Sequence, residues 1–229
     1  MTFEADVNNF PAGWRGIVNR WGEFNSKYFD KHQDLPAWYV ENSNSALFSA
    51  AAWAEGHQAL CEVDAEKKFY NGRQGAPTSY PGRMDIKLTI GDQMHFIEAK
   101  RRAFSLGEAS NYAFRHAYLK ASVHEARDNV RQCRNAASAL GAGVASLVFF
   151  SGHIALDAEE RAQGSTPQMR SEMVAAEITA LRENMRELGR NLNASVYHAV
   201  FSQCDYRIYQ NWNEYHWPAA FGLCAVIDE

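Results

Sequence analysis

Four cysteines, Cys61, Cys133, Cys204 and Cys224, are scattered through 229 residues with no C-x-x-C pair and no neighbouring histidine pattern. That spacing indicates neither a zinc site nor a disulfide framework, and the thiols are expected to be buried. Long apolar runs are missing too: none approaches the roughly 18 residues of a membrane span. The opening Met-Thr-Phe-Glu-Ala-Asp has no basic region followed by an apolar run. The expectation is a soluble, cytoplasmic chain with no membrane partner. Internal repeats, low-complexity stretches and breaks in composition are absent as well, which predicts one domain over residues 1–229. Positive charge is not in excess: the net charge of -4 argues mildly against a protein whose whole surface binds nucleic acid.

What is present is an ample core and an uneven charge distribution. Hydrophobic residues make up 46% of the chain, enough for a large buried centre. Residues 83–134 hold ten Lys and Arg against six acids, so a locally positive region sits within an acidic chain. A charge run of this kind is most often a solvated face.

Periodicity gives the order of elements. Trp14, Ile17, Val18, Trp21, Phe24, Tyr28 and Phe29 have helical spacing and predict a helical cover within residues 1–40. Asn44 or Ser45 would cap a helix to about Leu60, and Val63 to Tyr70 reads as a strand. A Gly- and Pro-rich loop follows, then a hairpin, a helix from about Tyr118 to Leu140, and the continuous apolar run Val144 to Phe150, expected of a strand buried on both faces. Residues 152–229 add a loop at 157–168, a helix from about Met169 to Leu192, a strand at Ser195 to Ser202 and a last strand at Gly222 to Ile227.

The hairpin, Arg83 to Lys100, turns at Gly91-Asp92, with Gly first as a type II′ turn requires. The register then pairs Ile90 with Gln93, Leu88 with His95 and Ile86 with Ile97. On the other face Asp85 meets Glu98, and Arg83 meets Lys100. Like charges directly opposite each other destabilise a sheet unless something compensates, and a divalent cation would do so. The bland alternative is a half-exposed hairpin in which Arg83, Lys87 and Lys100 neutralise two unrelated acids. Met84, Ile86, Leu88, Ile90, Ile97 and Ala99 form the face for burial.

Helix, three strands, helix and strand over residues 44–151, with Asp85 on the second strand and Glu98-Ala99-Lys100 on the third, resembles the PD-(D/E)XK nuclease superfamily. Met84 stands where a Pro often precedes the Asp. The resemblance implies an α/β restriction endonuclease-like core (αβββαβ): a mixed central sheet flanked by helices, with an N-terminal helical cover and a C-terminal αββ elaboration. It implies Mg²⁺, with Mn²⁺ able to substitute, held by Asp85, Glu98 and the Ala99 carbonyl. Mg²⁺ prefers oxygen ligands and is usually bound through one or two carboxylates plus water and phosphate oxygens. Lys100, two residues past Glu98 and so on the same face, would position the attacking water.

An acid from the first core helix often completes such sites. Glu55 is the nearest match, with Glu62 and Glu66 as competitors. Arg83, Arg101 and Arg102 are candidate phosphate contacts, although balancing the acids or surface solvation explains them comparably well. His57 reads as a bland polar residue. Gln132 lacks the Tyr four residues on that one exonuclease branch carries, since Ala136 is there. Tyr206, Tyr209, Trp212, Tyr215 and Trp217 would stack on bases or, more commonly, pack in a core or a subunit interface. The activity implied is Mg²⁺-dependent endonucleolytic hydrolysis of DNA, of restriction or host-defence type, for which a homodimer would match duplex symmetry. The alternatives are a catalytically silent nucleic-acid-binding or protein-interaction module on the same fold, or an RNA-processing nuclease.

Overall fold

The computed structural model describes residues 3–8, 10–32, 34–69, 78–105, 112–155, 167–192, 195–203, 209–211 and 214–228. The elements are β1 (Phe3–Asn8), α1 (Ala12–His32), a 3-10 turn (Pro36–Trp38), α2 (Glu41–Ala54), β2 (Gln58–Phe69), β3 (Thr78–Ile90) and β4 (Gln93–Ser105). They continue with α3 (Tyr112–Ala139), β5 (Gly143–Ala155), α4 (Pro167–Leu192), β6 (Val196–Gln203), β7 (Tyr209–Asn211) and β8 (Glu214–Asp228). The predicted loop at 157–168 falls almost wholly outside the described residues.

The described strands form one eight-stranded mixed sheet in the order β1-β6-β8-β5-β4-β3-β2, with β7 on β8. Only β4 and β5 are parallel; the other pairs are antiparallel. Helices cover both faces. On one face Trp14, Ile17, Val18 and Trp21 of α1 and Phe48, Ala51 and Ala52 of α2 pack on Ile86, Leu88, Ile97, Leu147, Phe149, Phe201 and Leu223. On the other, Leu119 and Val123 of α3 and Leu181, Met185 and Leu188 of α4 pack on Val148, Phe150, Val200 and Cys224. The run Val144 to Phe150 thus alternates between two cores, which is why it carries no polar face.

Several boundaries differ from expectation: α2 ends at Ala54, not about Leu60, β2 starts at Gln58, not Val63, and α3 starts at Tyr112, not about Tyr118. Residues 3–8 form a strand antiparallel to β6, not part of a helical cover. Asn44 and Ser45 are buried within α2 and do not cap it; the helix starts at Glu41. Asn44 still bonds the backbone at the helix start, its Nδ2 donating to the Tyr39 and Val40 carbonyls at 3.4 and 3.3 Å, but from inside the first turns. β8 begins at Glu214 because its polar N-terminal half pairs with β7 and with the end of β5. Pro218, which cannot donate to a ladder, sits where that register shifts. No described helix is long and apolar enough to cross a membrane.

Candidate functional site

The β3–β4 hairpin forms as its turn chemistry requires. Gly91 has φ 58°, and Glu62 is the sole non-glycine with positive φ among the described residues, so Asp92 stays in the ordinary region, as in a type II′ turn. The ladder runs from Ile90↔Gln93 through Thr89↔Met94, Leu88↔His95 and Lys87↔Phe96 to Ile86↔Ile97, and stops there. The expected pairs Asp85 with Glu98 and Arg83 with Lys100 are therefore not ladder pairs. Beyond Ile86 and Ile97 the strands part, β3 continuing along β2 and β4 along β5.

Asp85 caps this parting: its Oδ2 accepts from the Ala99 backbone N–H at 2.6 Å, occupying the place a β3 carbonyl would otherwise take. The irregularity extends to β2. Glu62, at the level of Asp85, has φ 54° and lies between the pairs Cys61↔Ile86 and Val63↔Met84 without being bridged itself. On one side of that level Cys61 and Ile86 face α2; on the other, Ala65 and Met84 join Phe96, Val130, Ala137 and Val144 beneath α3. Both strands thus turn over at one level, and the charged residues gather beside that fork.

Glu98 is only 3% exposed. Burial pushes its carboxyl up to about 7; the hydrogen bond from Lys67 opposes this, and the nearby negative charge of Asp85 adds to it. Lys67 Nζ lies 2.6 Å from Glu98 Oε1. Glu41, in the first turn of α2, lies 3.5 Å from Lys100 Nζ. Its carboxyl is also raised, mainly by burial and further by the charge of Asp85, against the pull of Lys100. Asp85, Glu98, Lys100 and Glu41 are therefore brought together, with Lys67 as the fifth member.

Glu41 and Lys67 were missed by sequence reasoning. The one signal for Glu41 was an acid in a first helical turn, which a helix dipole alone explains, and the Asn44-Ser45 cap placed it outside the helix. Lys67 had no signal, because its role depends on crossing a neighbouring strand.

The remaining candidates lie elsewhere. Glu55 is the C-cap of α2, at the opposite end from Glu41, and pairs with Arg20 at 2.7 Å. A 14-residue helix spans about 20 Å, so the structure does not bring Glu55 to Asp85 and Glu98. Glu62 and Glu66 are exposed on β2. Arg83 is 67% exposed and stands at 3.7 and 3.8 Å from Glu62 and Asp64, so it balances β2 acids, not Asp85 and Glu98. Arg101 is turned inward, donating to the Trp38 carbonyl at 2.6 Å and to Ser151 Oγ at 3.1 Å, with burial lowering its pKa. Arg102 ties β4 to α3 through Ser122 and Glu125 and lies over the Tyr118 ring. Gln132 accepts from the Tyr80 hydroxyl at 2.8 Å. In the C-terminal aromatic group, Tyr206 and Trp212 fall outside the described residues, as do the side chains of Tyr209, Tyr215 and Trp217.

Among the described residues no group of three or more His, Cys, Asp or Glu stands ready-made around a metal ion. The donor set nevertheless suits a hard cation. Asp85 and Glu98 offer carboxylate oxygens, and the Ala99 carbonyl leaves β4 on the same edge as the N–H that Asp85 engages. No family profile, no curated protein and no solved structure matches the chain.

Proposed function

We propose that the chain is a Mg²⁺-dependent nuclease hydrolysing DNA phosphodiester bonds on a restriction endonuclease-like core. The observation that carries this reading is the gathering of Asp85, Glu98, Lys100 and Glu41 at the fork where β3 leaves β4. The order α2-β2-β3-β4-α3-β5, antiparallel across β2, β3 and β4 and parallel at β4 and β5, supports it.

Asp85, Glu98 and the Ala99 carbonyl are the groups that would hold Mg²⁺ or Mn²⁺. Such an ion supplies Lewis acidity toward the phosphate and a lowered pKa for bound water. Lys100, oriented by Glu41, presents an ammonium that holds the attacking water and stabilises charge building on the phosphoryl oxygens. Arg83, exposed and only loosely paired, is the phosphate contact retained from the sequence candidates. Arg101 and Arg102 hold β4 in place.

A second reading has its own support. Glu98 is already neutralised by Lys67, and Asp85 is already bonded by Ala99, as in a catalytically silent binding module whose acids serve the fold. Supercoiled plasmid, single-stranded DNA and labelled RNA incubated with Mg²⁺, Mn²⁺ or EDTA separate the readings. Metal-dependent DNA cutting, reduced about a hundredfold or more in Asp85→Ala and in Lys100→Ala, is expected. Cutting confined to RNA would correct the substrate, and no cutting of any of them would leave the silent module.

A further inference from the structure

Lys67 reaches Glu98 by an unusual route. It sits on β2 opposite Tyr80, whereas Glu98 is on β4, so its ammonium crosses the whole width of β3 to stand 2.6 Å from Oε1. Paired strands are about 4.8 Å apart, so this contact needs the lysine extended along a clear path and the Glu98 side chain reaching back toward it. Gly82 is that path. A Cβ there would lie 2.7 Å from Lys67 Cδ and 2.9 Å from Cγ, so any other residue would push the stem aside.

We infer that Lys67 is a resident counter-cation of Glu98 which a divalent ion must displace, so that the swing of Lys67 gates metal loading. This rests on the reading that Asp85 and Glu98 hold the ion. An ammonium bonded to Oε1 and a divalent cation at the same carboxylate repel each other and compete for the same lone pairs. The apparent metal affinity is then lowered by the fraction of molecules in which Lys67 is still in place. A berth for the released side chain adjoins its origin on β2. A cleft of about 500 Å³ there is lined by Asp64, Ala65, Glu66, Tyr80, Pro81 and Gly82.

The test uses the full chain and Mn²⁺, with binding followed by calorimetry. In parallel, a brief acetylation pulse is read at Lys67 by peptide mass spectrometry. Saturating Mn²⁺ is expected to raise acetylation of Lys67 by about fivefold or more in the wild type and not in Asp85→Ala. In Gly82→Ala, Lys67 is expected to be reactive without metal, and Mn²⁺ to bind about tenfold more tightly. Binding of Mn²⁺ with Lys67 unchanged would make the pair a permanent structural bridge, overturning the gate while leaving the nuclease reading intact. Raised reactivity in Gly82→Ala at unchanged Mn²⁺ affinity would overturn the competition. Absence of any Mn²⁺ binding to the wild type would remove both the gate and the metal-dependent reading beneath it.

Discussion

A negative charge on Glu98 comes at a cost that pH can reveal. Its carboxyl is raised from an ordinary 4.5 to about 7, so the folded chain holds this proton more tightly than the unfolded chain does. The group's contribution to stability is fully present below pH 4.5 and is lost as pH rises through 7, a change of about 3 kcal/mol. Urea unfolding at pH 5 and pH 8 is expected to show that loss in the wild type and a profile flatter by about 2 to 3 kcal/mol in Glu98→Gln. Glu41 shifts in the same direction, mainly through burial, so its contribution also falls as pH rises. At the same scale, two acids on one helix are separable by function. Glu41→Gln is expected to lower DNA cleavage by about tenfold or more, because Lys100 loses its partner, whereas Glu55→Gln breaks only the pair with Arg20 and leaves cleavage near wild type. Equal losses in both variants would place the helix acid wrongly.

Elements meet through glycines whose requirements differ in kind. Gly91 needs its positive φ and has open space around it, so Gly91→Ala costs only conformational strain at the hairpin turn. A loss of about 1 kcal/mol is expected, lowering Tm by about 2 to 4 °C for a chain of this size. Gly22, on α1, has ordinary helical geometry, but a Cβ there would lie 2.0 Å from Phe201 Cε1 on β6. Alanine would raise helix propensity by about 1 kcal/mol, yet overpacking costs about 1 to 3 kcal/mol or more, so Gly22→Ala is expected to be net destabilising in thermal or urea unfolding. The hairpin was legible because its turn and its alternating residues act locally. The end of its ladder was not, because the Asp85 carboxylate replaces a backbone partner there.

Over the whole molecule, the centre of the sheet is sealed by helices on both faces. Cys224 lies on β8, between β5 and β6, fully buried, with its thiol pushed up to about 12 by that burial. Cys61, against the expectation of buried thiols, is exposed, because it lies on the edge strand β2. A thiol-alkylating reagent followed by mass spectrometry is expected to modify Cys61 faster than Cys224, which reacts only at the rate of global unfolding. Comparable rates at the two sites would mean that the β5–β8–β6 region opens locally. The parallel β4–β5 pair with α3 between them, and the long antiparallel β5–β8 pair, make this region the structural spine to which the fork is anchored.

Local chemistry by itself determined the helices that carry regular apolar stripes, the Gly91-Asp92 turn, the doubly buried Val144 to Phe150 strand and the presence of Asp85, Glu98 and Lys100 on one hairpin. Each follows from a spacing or a backbone preference within a few residues of chain. Tertiary structure alone decided that residues 3–8 become a strand, that β3 and β4 part at Asp85, and that Glu41, not Glu55, lies beside Lys100. It alone laid Lys67 across Gly82 onto Glu98. These outcomes depend on partners from distant elements and on burial, which no local pattern encodes.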